Sequence, residues 1–249
     1  MLSILLPTAR RSTPEDAQVV WGDLRVALAS VAAYAPGVDL VVAWNGLEKP
    51  EDLPPNPCMR LLRQPEGIAT GSEAWNWCAT QTSAEHLLVL GDDCVLHPDT
   101  LGLMLQDIET IHREAPLEPI GFVGTRSNYV KGPQNVRNGT GTESSAVQFD
   151  SELLILRTEM VVPVCAWVEH VVFDLVGGFP ATNWFADDVI CWDMSRLGYT
   201  HFVSRAYVHH VGQRATAQGK SNQVLAEEGL HWLQRHRPDF LVERLGMTA

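Results

Sequence analysis

The run Leu87-Leu88-Val89-Leu90 leads straight into Gly91-Asp92-Asp93, and this junction constrains the fold more than any other stretch of the chain. An unbroken apolar run of that length fits a strand buried on both faces, as in a mostly parallel sheet. The two carboxylates then emerge at the strand's carboxyl end, the edge where open α/β sheets bind ligands. Adjacent carboxylates repel unless a cation neutralises them, and a hard divalent ion shared with substrate phosphates is the usual solution. The alternative is that Asp92 and Asp93 open a turn and cap a helix expected over residues 98–112.

The flanking sequence supports the sheet. Residues 3–6 read as a short strand, 17–34 as a helix and 38–43 as a second buried strand. This is a β-α-β unit whose right-handed crossover places both loop ends on one side of the sheet. A proline-rich connection over 48–57 leads to a strand at 59–63, a helix at 71–82 and the run at 87–90. Alternating strand and helix argue for an α/β fold, a mostly parallel mixed sheet of nucleotide-binding type flanked by helices. The second half differs: a strand at 120–123, a polar loop at 126–142, and two apolar segments within 147–168 separated near 157–160. Helices are expected at 171–176, 189–197 and 223–236, with a strand at 200–208.

The 249 residues suffice for one large domain, and we expect one domain with a mobile tail. A formal charge of -12 argues against a surface that binds polyanions generally, although a local basic site is still allowed. Cys58, Cys78, Cys94, Cys165 and Cys191 are odd in number and lack C-x-x-C spacing. That pattern fits reduced thiols in a cytoplasmic protein without a zinc or disulfide framework. No stretch approaches the roughly 20 apolar residues of a spanning helix, so neither a transmembrane segment nor a secretion signal is expected. Asn138-Gly139-Thr140 matches the N-glycosylation pattern, which carries little meaning without export.

Several short motifs succeed one another in order. Pro7-Thr8 ends the first strand and Asn45-Gly46 the second, and Gly67-Ile68-Ala69-Thr70-Gly71 precedes a helix. Gly91-Asp92-Asp93 comes next, then Ser127-Asn128-Tyr129-Val130-Lys131-Gly132-Pro133-Gln134. Gly177-Gly178-Phe179, Asp187-Asp188, Gly198-Tyr199 and His209-His210 complete the series. From about residue 2 to 212 the chain resembles the glycosyltransferase family 2 enzymes, inverting transferases of the GT-A nucleotide-sugar fold. The resemblance implies a GT-A domain over 1–212, with a nucleotide-sugar half (1–112) and an acceptor half (113–212). A flexible segment and C-terminal helix would occupy 213–249.

In that family the acidic motif after the fourth strand holds Mn²⁺ or Mg²⁺ on the donor diphosphate. The resemblance places Asp93 as its most direct ligand and Asp92 in its middle position, with Gly91 where many members have Asp or Asn. His210, or His209 one residue away, matches a histidine that contacts metal or diphosphate. Charge grows on the departing diphosphate as the glycosidic bond breaks, and a cation there stabilises the transition state. Asp187, with Asp188 as the one-residue alternative, matches the general base that takes the acceptor's proton; the same pair could cap a helix.

The donor-contact candidates are Pro7, Thr8, Arg10, Trp44, Asn45, Gly67, Arg214 and Lys220. Trp44 stands where the family usually has an aspartate, so it could stack on a base while Asn45 bonds the base or ribose; Asn-Gly is also an ordinary turn. The asparagine usual in the helix after Gly67 is absent, with Ser72 and Glu73 in its region and Asn76 further on. The segment 125–140 carries Arg126, Lys131 and Arg137 and no acid, which marks an acceptor or phosphate contact or a solvated loop. Asn128, Lys131, Gln134 and Trp184 are the acceptor-binding candidates.

The expected donor is a nucleotide-diphospho-sugar. The acceptor is a bacterial glycan or lipid-linked precursor, or a hydroxylated nucleobase in viral DNA. Two other readings remain, a GT-A-like nucleotidyltransferase and a non-catalytic sugar-nucleotide-binding protein. Nucleotidyltransferases usually carry a glycine-rich loop after the first strand, and residues 7–12 contain no glycine. Association into a homo-oligomer through the C-terminal helix stays open.

Overall fold

The alternation of the first half builds one side of a single sheet. A computed structural model describes residues 1–8, 14–45, 49–136, 154–211 and 221–247, the backbone alone for 14–19. β1 (Leu2–Pro7), α1 (Pro14–Tyr34), β2 (Asp39–Trp44), β3 (Met59–Arg63), α2 (Gly71–Ala79) and β4 (His86–Leu90) come first. β5 (Cys94–Leu96), α3 (Thr100–Glu114), β6 (Ile120–Ser127), β7 (Leu156–Thr158), β8 (Cys165–Glu169), α4 (His170–Leu175), α5 (Ala186–Arg196) and β9 (Thr200–His210) come after them. The described chain ends with α6 (Asn222–His236) and α7 (Pro238–Glu243).

The strands lie in the order β3-β2-β1-β4-β8-β6-β9-β5, with β7 added to β9. β1 pairs in parallel with β2 and β4, β2 with β3, and β6 with β9, while β8 is antiparallel to both β4 and β6. As a result β1, β2, β3, β4, β6 and β9 all point one way, and β5, β7 and β8 run against them. The carboxyl ends of β1, β2, β4, β6 and β9 therefore meet along one edge, where Thr8, Asn45, Asp92, Asp93, Asn128 and His210 sit.

Both faces of the sheet are covered, as the apolar run of β4 requires. Leu88 and Leu90 join Ile4, Leu6, Leu40 and Val42 beneath Leu24, Leu28 and Val31 of α1 and Met104, Ile108 and Ile111 of α3. Leu87 and Val89 face the other way, with Leu5, Val41 and Ala43, against Cys78 of α2, Phe173 of α4 and Ile190, Cys191 and Met194 of α5. Each fully buried aliphatic side chain contributes about 1.5–3 kcal/mol. Truncating Leu88, which is 1% exposed, to Ala would cost roughly 2–5 kcal/mol. A smaller cluster of Val189, Leu233, Phe240 and Leu241 packs the α6–α7 hairpin onto α5.

Several expected boundaries move. β6 runs to Ser127 and not 123, so Arg126 lies in a strand rather than in the polar loop. α5 begins at Ala186 rather than 189, which puts Asp187 and Asp188 inside its first turn instead of before it. β9 continues through His210, so both histidines close the strand rather than succeed it. β5 and α7 carry too few residues to show a period, and neither is expected from the sequence. The helix expected at 98–112 begins at Thr100 after Asp99, whose side chain makes no capping bond, so Asp92 and Asp93 do not cap it. No helix among the described residues is long and apolar enough to cross a membrane.

Candidate active site

At the β1–β2–β3 end of the edge, backbone and side-chain amides close on one another. The Gln64 side-chain amide donates to the carbonyls of Thr8 (3.1 Å) and Ala43 (2.8 Å), and its oxygen accepts from Asn45 Nδ2 (3.1 Å). Asn45 N–H donates to Thr8 Oγ1 at 3.1 Å. Thr8 and Asn45 thus meet where the sequence placed them, and Gln64, unanticipated, ties them together. Pro7 is buried as the last residue of β1. Trp44 is only 8% exposed and its ring carries the Arg63 guanidinium 5.3 Å from its centroid, so it has little surface to offer a stacked base.

At the β4 end, Gly91 allows the turn to close. A Cβ there would stand 3.0 Å from Cys94 Sγ and 3.1 Å from Asp93 Oδ1, which accounts for glycine at this position. Asp93 Oδ2 lies 3.2 Å from His210 Nε2. The other ring nitrogen, Nδ1, donates to the Tyr129 carbonyl at 2.5 Å, which leaves Nε2 to face Asp93. Asn128 just past the end of β6 clamps the His210 backbone in both directions: its Nδ2 donates to His210 O (3.0 Å) and its Oδ1 accepts from His210 N–H (2.8 Å).

Burial pushes the Asp93 carboxyl up, but the hydrogen bond and charge of His210 outweigh it and hold it below the usual carboxylate range. For His210, burial works downward and is overcome by Asp93, so the imidazole is raised. Asp93, Cys94 and His210 bring donor atoms within 4.8 Å of one another. Burial, with Asp93 beside it, pushes the Cys94 thiol well up, so Cys94 is a weak donor and the effective set is carboxylate and imidazole. A carboxylate with an imidazole suits Mn²⁺ better than the oxygen-preferring Mg²⁺. Asp92 is buried next to it but outside the converging group.

The second acidic pair sits at the start of α5. Phe185 precedes it with φ of 69°, a left-handed conformation costly for a bulky residue. Packing holds it there: Phe185 joins the cluster under the C-terminal hairpin, and a Cβ on Gly229 of α6 would come within 2.9 Å of its ring. Lys131 Nζ reaches Asp188 Oδ2 at 2.7 Å and Asp187 Oδ2 at 3.1 Å. Asp187 is raised to about 6, first by burial; the Lys131 charge opposes the rise and the Asp188 charge adds to it.

The rest of α5 is pinned from below. His201, fully buried, accepts from Phe122 N–H through Nδ1 (2.9 Å), so Nε2 carries the proton donated to Cys191 O (2.9 Å). Gly121 makes room for that ring, since a Cβ there would meet it at 2.6 Å. No sequence motif singles out His201; its place two residues into an apolar strand is the one signal available.

Two other candidates turn inward. Gln134 is fully buried, its Nε2 donating to Thr125 O and Val162 O and its Oε1 accepting from Val162 N–H, so it pins the loop and does not face an acceptor. Arg126 is likewise buried, with its guanidinium on the carbonyls of Pro133 and Leu154. Trp184 is half-buried, with its Cβ and carbonyl beside Gly229 of α6. Asn76, in place of the expected helix asparagine, brackets Phe179 by accepting from its N–H (2.8 Å) and donating to its carbonyl (2.7 Å). Gly67 adopts φ of +99°, which explains its glycine. Thr70 and Glu73 form a capping box on α2. Arg10, Arg137, Arg214 and Lys220 lie outside the described residues.

No family model and no curated protein sequence matches the chain. Solved structures do. The crystal structure of S. aureus TarS 1–349 is 13% identical with a TM-score of 0.54, over 98% of this chain and 74% of that one. The same fragment in complex with UDP-GlcNAc is 13% identical with a TM-score of 0.56, over 99% of this chain and 73% of that one. The chain has a GT-A-like fold. In that GT-A-like sheet Asp93 and His210 occupy the carboxyl edge, and the Asn128–Lys131 segment links them to Asp187 and Asp188.

Proposed function

We propose that the protein is an inverting glycosyltransferase that moves a sugar from a nucleotide-diphospho-sugar to an acceptor hydroxyl with the help of Mn²⁺ or Mg²⁺. The observation that carries this reading is the span of one short segment. Asn128 and Tyr129 hold His210 against Asp93, and Lys131 holds Asp187 and Asp188. Two carboxylate centres, one faced by an imidazole and one by an ammonium, are thereby fixed relative to one another. The UDP-GlcNAc complex of S. aureus TarS supports a UDP-sugar as donor.

Asp93 and His210, with Asp92 adjoining, would hold the cation. The bound cation supplies charge stabilisation for the departing diphosphate. At the other centre Asp187, raised to about 6, can accept a proton near neutral pH. As the acceptor oxygen bonds to the anomeric carbon, its proton passes to an Asp187 carboxylate oxygen. The anomeric carbon–oxygen bond on the opposite face breaks, its electron pair leaving with the diphosphate. One displacement inverts the anomeric centre without a covalent enzyme intermediate.

A thermal-shift screen of nucleotide sugars with and without Mn²⁺ or Mg²⁺ tests the reading, because a ligand that binds the native state alone raises its melting temperature. We expect a UDP-sugar to stabilise the protein only with the cation, and UDP to be released on turnover. Stabilisation by no nucleotide sugar, or release of pyrophosphate, would overturn it.

A further inference from the structure

The sequence offers Lys131 as an acceptor contact, yet its ammonium lies between the two carboxylates of α5, 2.7 Å from Asp188 and 3.1 Å from Asp187. We propose that Lys131 is a positioning residue for the base, its ammonium keeping the Asp187–Asp188 pair ionised and fixed in orientation toward the acceptor. The inference rests on Asp187 being that base.

Two carboxylates adjacent in one helical turn repel, and their burial favours protonation further. A protonated Asp187 cannot take a proton. The helix N-terminus helps only modestly. A cation bridging both acids is the larger correction, since an opposite charge at this distance shifts a carboxyl by roughly 1–3 pH units. The other groups facing the pair are few. Cys191, one turn along α5, has its thiol pushed up by burial, so it is neutral. Asp188 also borders a cavity of about 160 Å³ with Glu159 and Arg244, which pair with each other at 2.6 Å. Lys131 is therefore the cation that faces Asp187 among the described residues.

Its delivery is as informative as its charge. Lys131 comes after Asn128 and Tyr129, which grip His210, and precedes a 3₁₀ turn, Gly132–Gln134, where the buried Gln134 amide locks the loop to β6. The segment fixes where the Lys131 backbone stands, and the side chain, 51% exposed, is placed by its contacts with the two acids.

The test uses Lys131→Met and Lys131→Arg in the full chain, with slow hydrolysis of UDP-GlcNAc in Mn²⁺ as the activity and water as acceptor. For Lys131→Met we expect the acid limb of the kcat/KM profile to move up by at least about one pH unit. The ¹³C titration of the Asp187 carboxyl should move with it. Lys131→Arg should restore most of both, and stabilisation by UDP-GlcNAc with Mn²⁺ should stay unchanged. An unmoved Asp187 titration in a folded Lys131→Met protein would overturn the role of Lys131. Undiminished turnover in Asp187→Asn would instead overturn the assignment of the base, and the titration arm separates the two.

Discussion

The chain contains the dipeptide Asp-Asp twice, and the structure treats the two pairs in opposite ways. Asp92-Asp93 ends a buried strand and meets a histidine; Asp187-Asp188 opens a helix and meets a lysine. Asp93 is held below the ordinary carboxylate range and Asp187 is raised to about 6. Both are mostly buried, so desolvation does not separate them. The partners do. His210 faces Asp93 one to one, whereas Lys131 is shared by two acids that also repel each other. A carboxylate that stays charged suits a cation ligand, and one that titrates near neutrality suits a base.

The largest expected effect comes from removing each acid in turn. Asp93→Ala and Asp187→Asn should each lower nucleoside diphosphate release on the order of 10³-fold. The two losses should differ in kind. Asp187→Asn should keep the stabilisation by UDP-GlcNAc and Mn²⁺ in a thermal-shift assay, while Asp93→Ala should lose it. If both variants keep it, or both lose it, the division of labour between the pairs is wrong.

Stability should separate the pairs next, measured without added divalent ion. A carboxyl raised in the folded state favours the protonated form, so Asp187 makes the fold less stable as pH climbs from about 3.8 through about 6. Asp93 is lowered, so its contribution is fully present above the unfolded value of 3.8 and disappears as pH falls through its folded value. At pH values above about 7, Asp187→Asn should therefore raise the melting temperature and Asp93→Asn should lower it. The gap between the variants should be roughly 5–10 °C, since about 1 kcal/mol moves a domain of this size by 2–4 °C. A shift of the same sign in both would remove the electrostatic distinction.

How far the sequence foretells these features depends on what each side chain bonds to. The sheet edge is legible because a doubly buried strand announces itself in an unbroken apolar run, and the residues just after such a strand must lie at its carboxyl end. Asp93 and His210 come out of that logic together with the order of the motifs. Trp44, Gln134 and Arg126 look like ligand contacts because their chemistry suits ligands. Their partners are an arginine on the next strand and backbone carbonyls far along the chain, which local sequence does not encode. The start of α5 escapes the sequence for a related reason. Phe185 in a left-handed conformation is not a helix-start signal, and it depends on packing against Gly229 of α6, far along the chain.

That dependence on distant packing gives the smallest but most discriminating expectation. The acidic pair at Asp93 is supported by the sheet itself, whereas α5 is held by the sheet on one side and by the C-terminal hairpin on the other. Arg237 joins the two parts: its guanidinium donates to Asp193 at 2.6 and 2.7 Å and lies 5.3 Å from the centroid of Trp192. Arg237→Ala should destabilise the protein by about 1–2 kcal/mol, the scale of lost charge-assisted hydrogen bonds in a half-buried site. The melting temperature should fall by about 4 °C. Lysine should rescue little of this, because it cannot form the two-pronged contact. Loosened support for α5 should lower turnover a few-fold, while binding of UDP-GlcNAc with Mn²⁺, which we propose for the sheet edge, should stay as it was. Equal loss of binding and turnover would mean that the hairpin supports the whole site, and that the two acidic pairs are mechanically one unit.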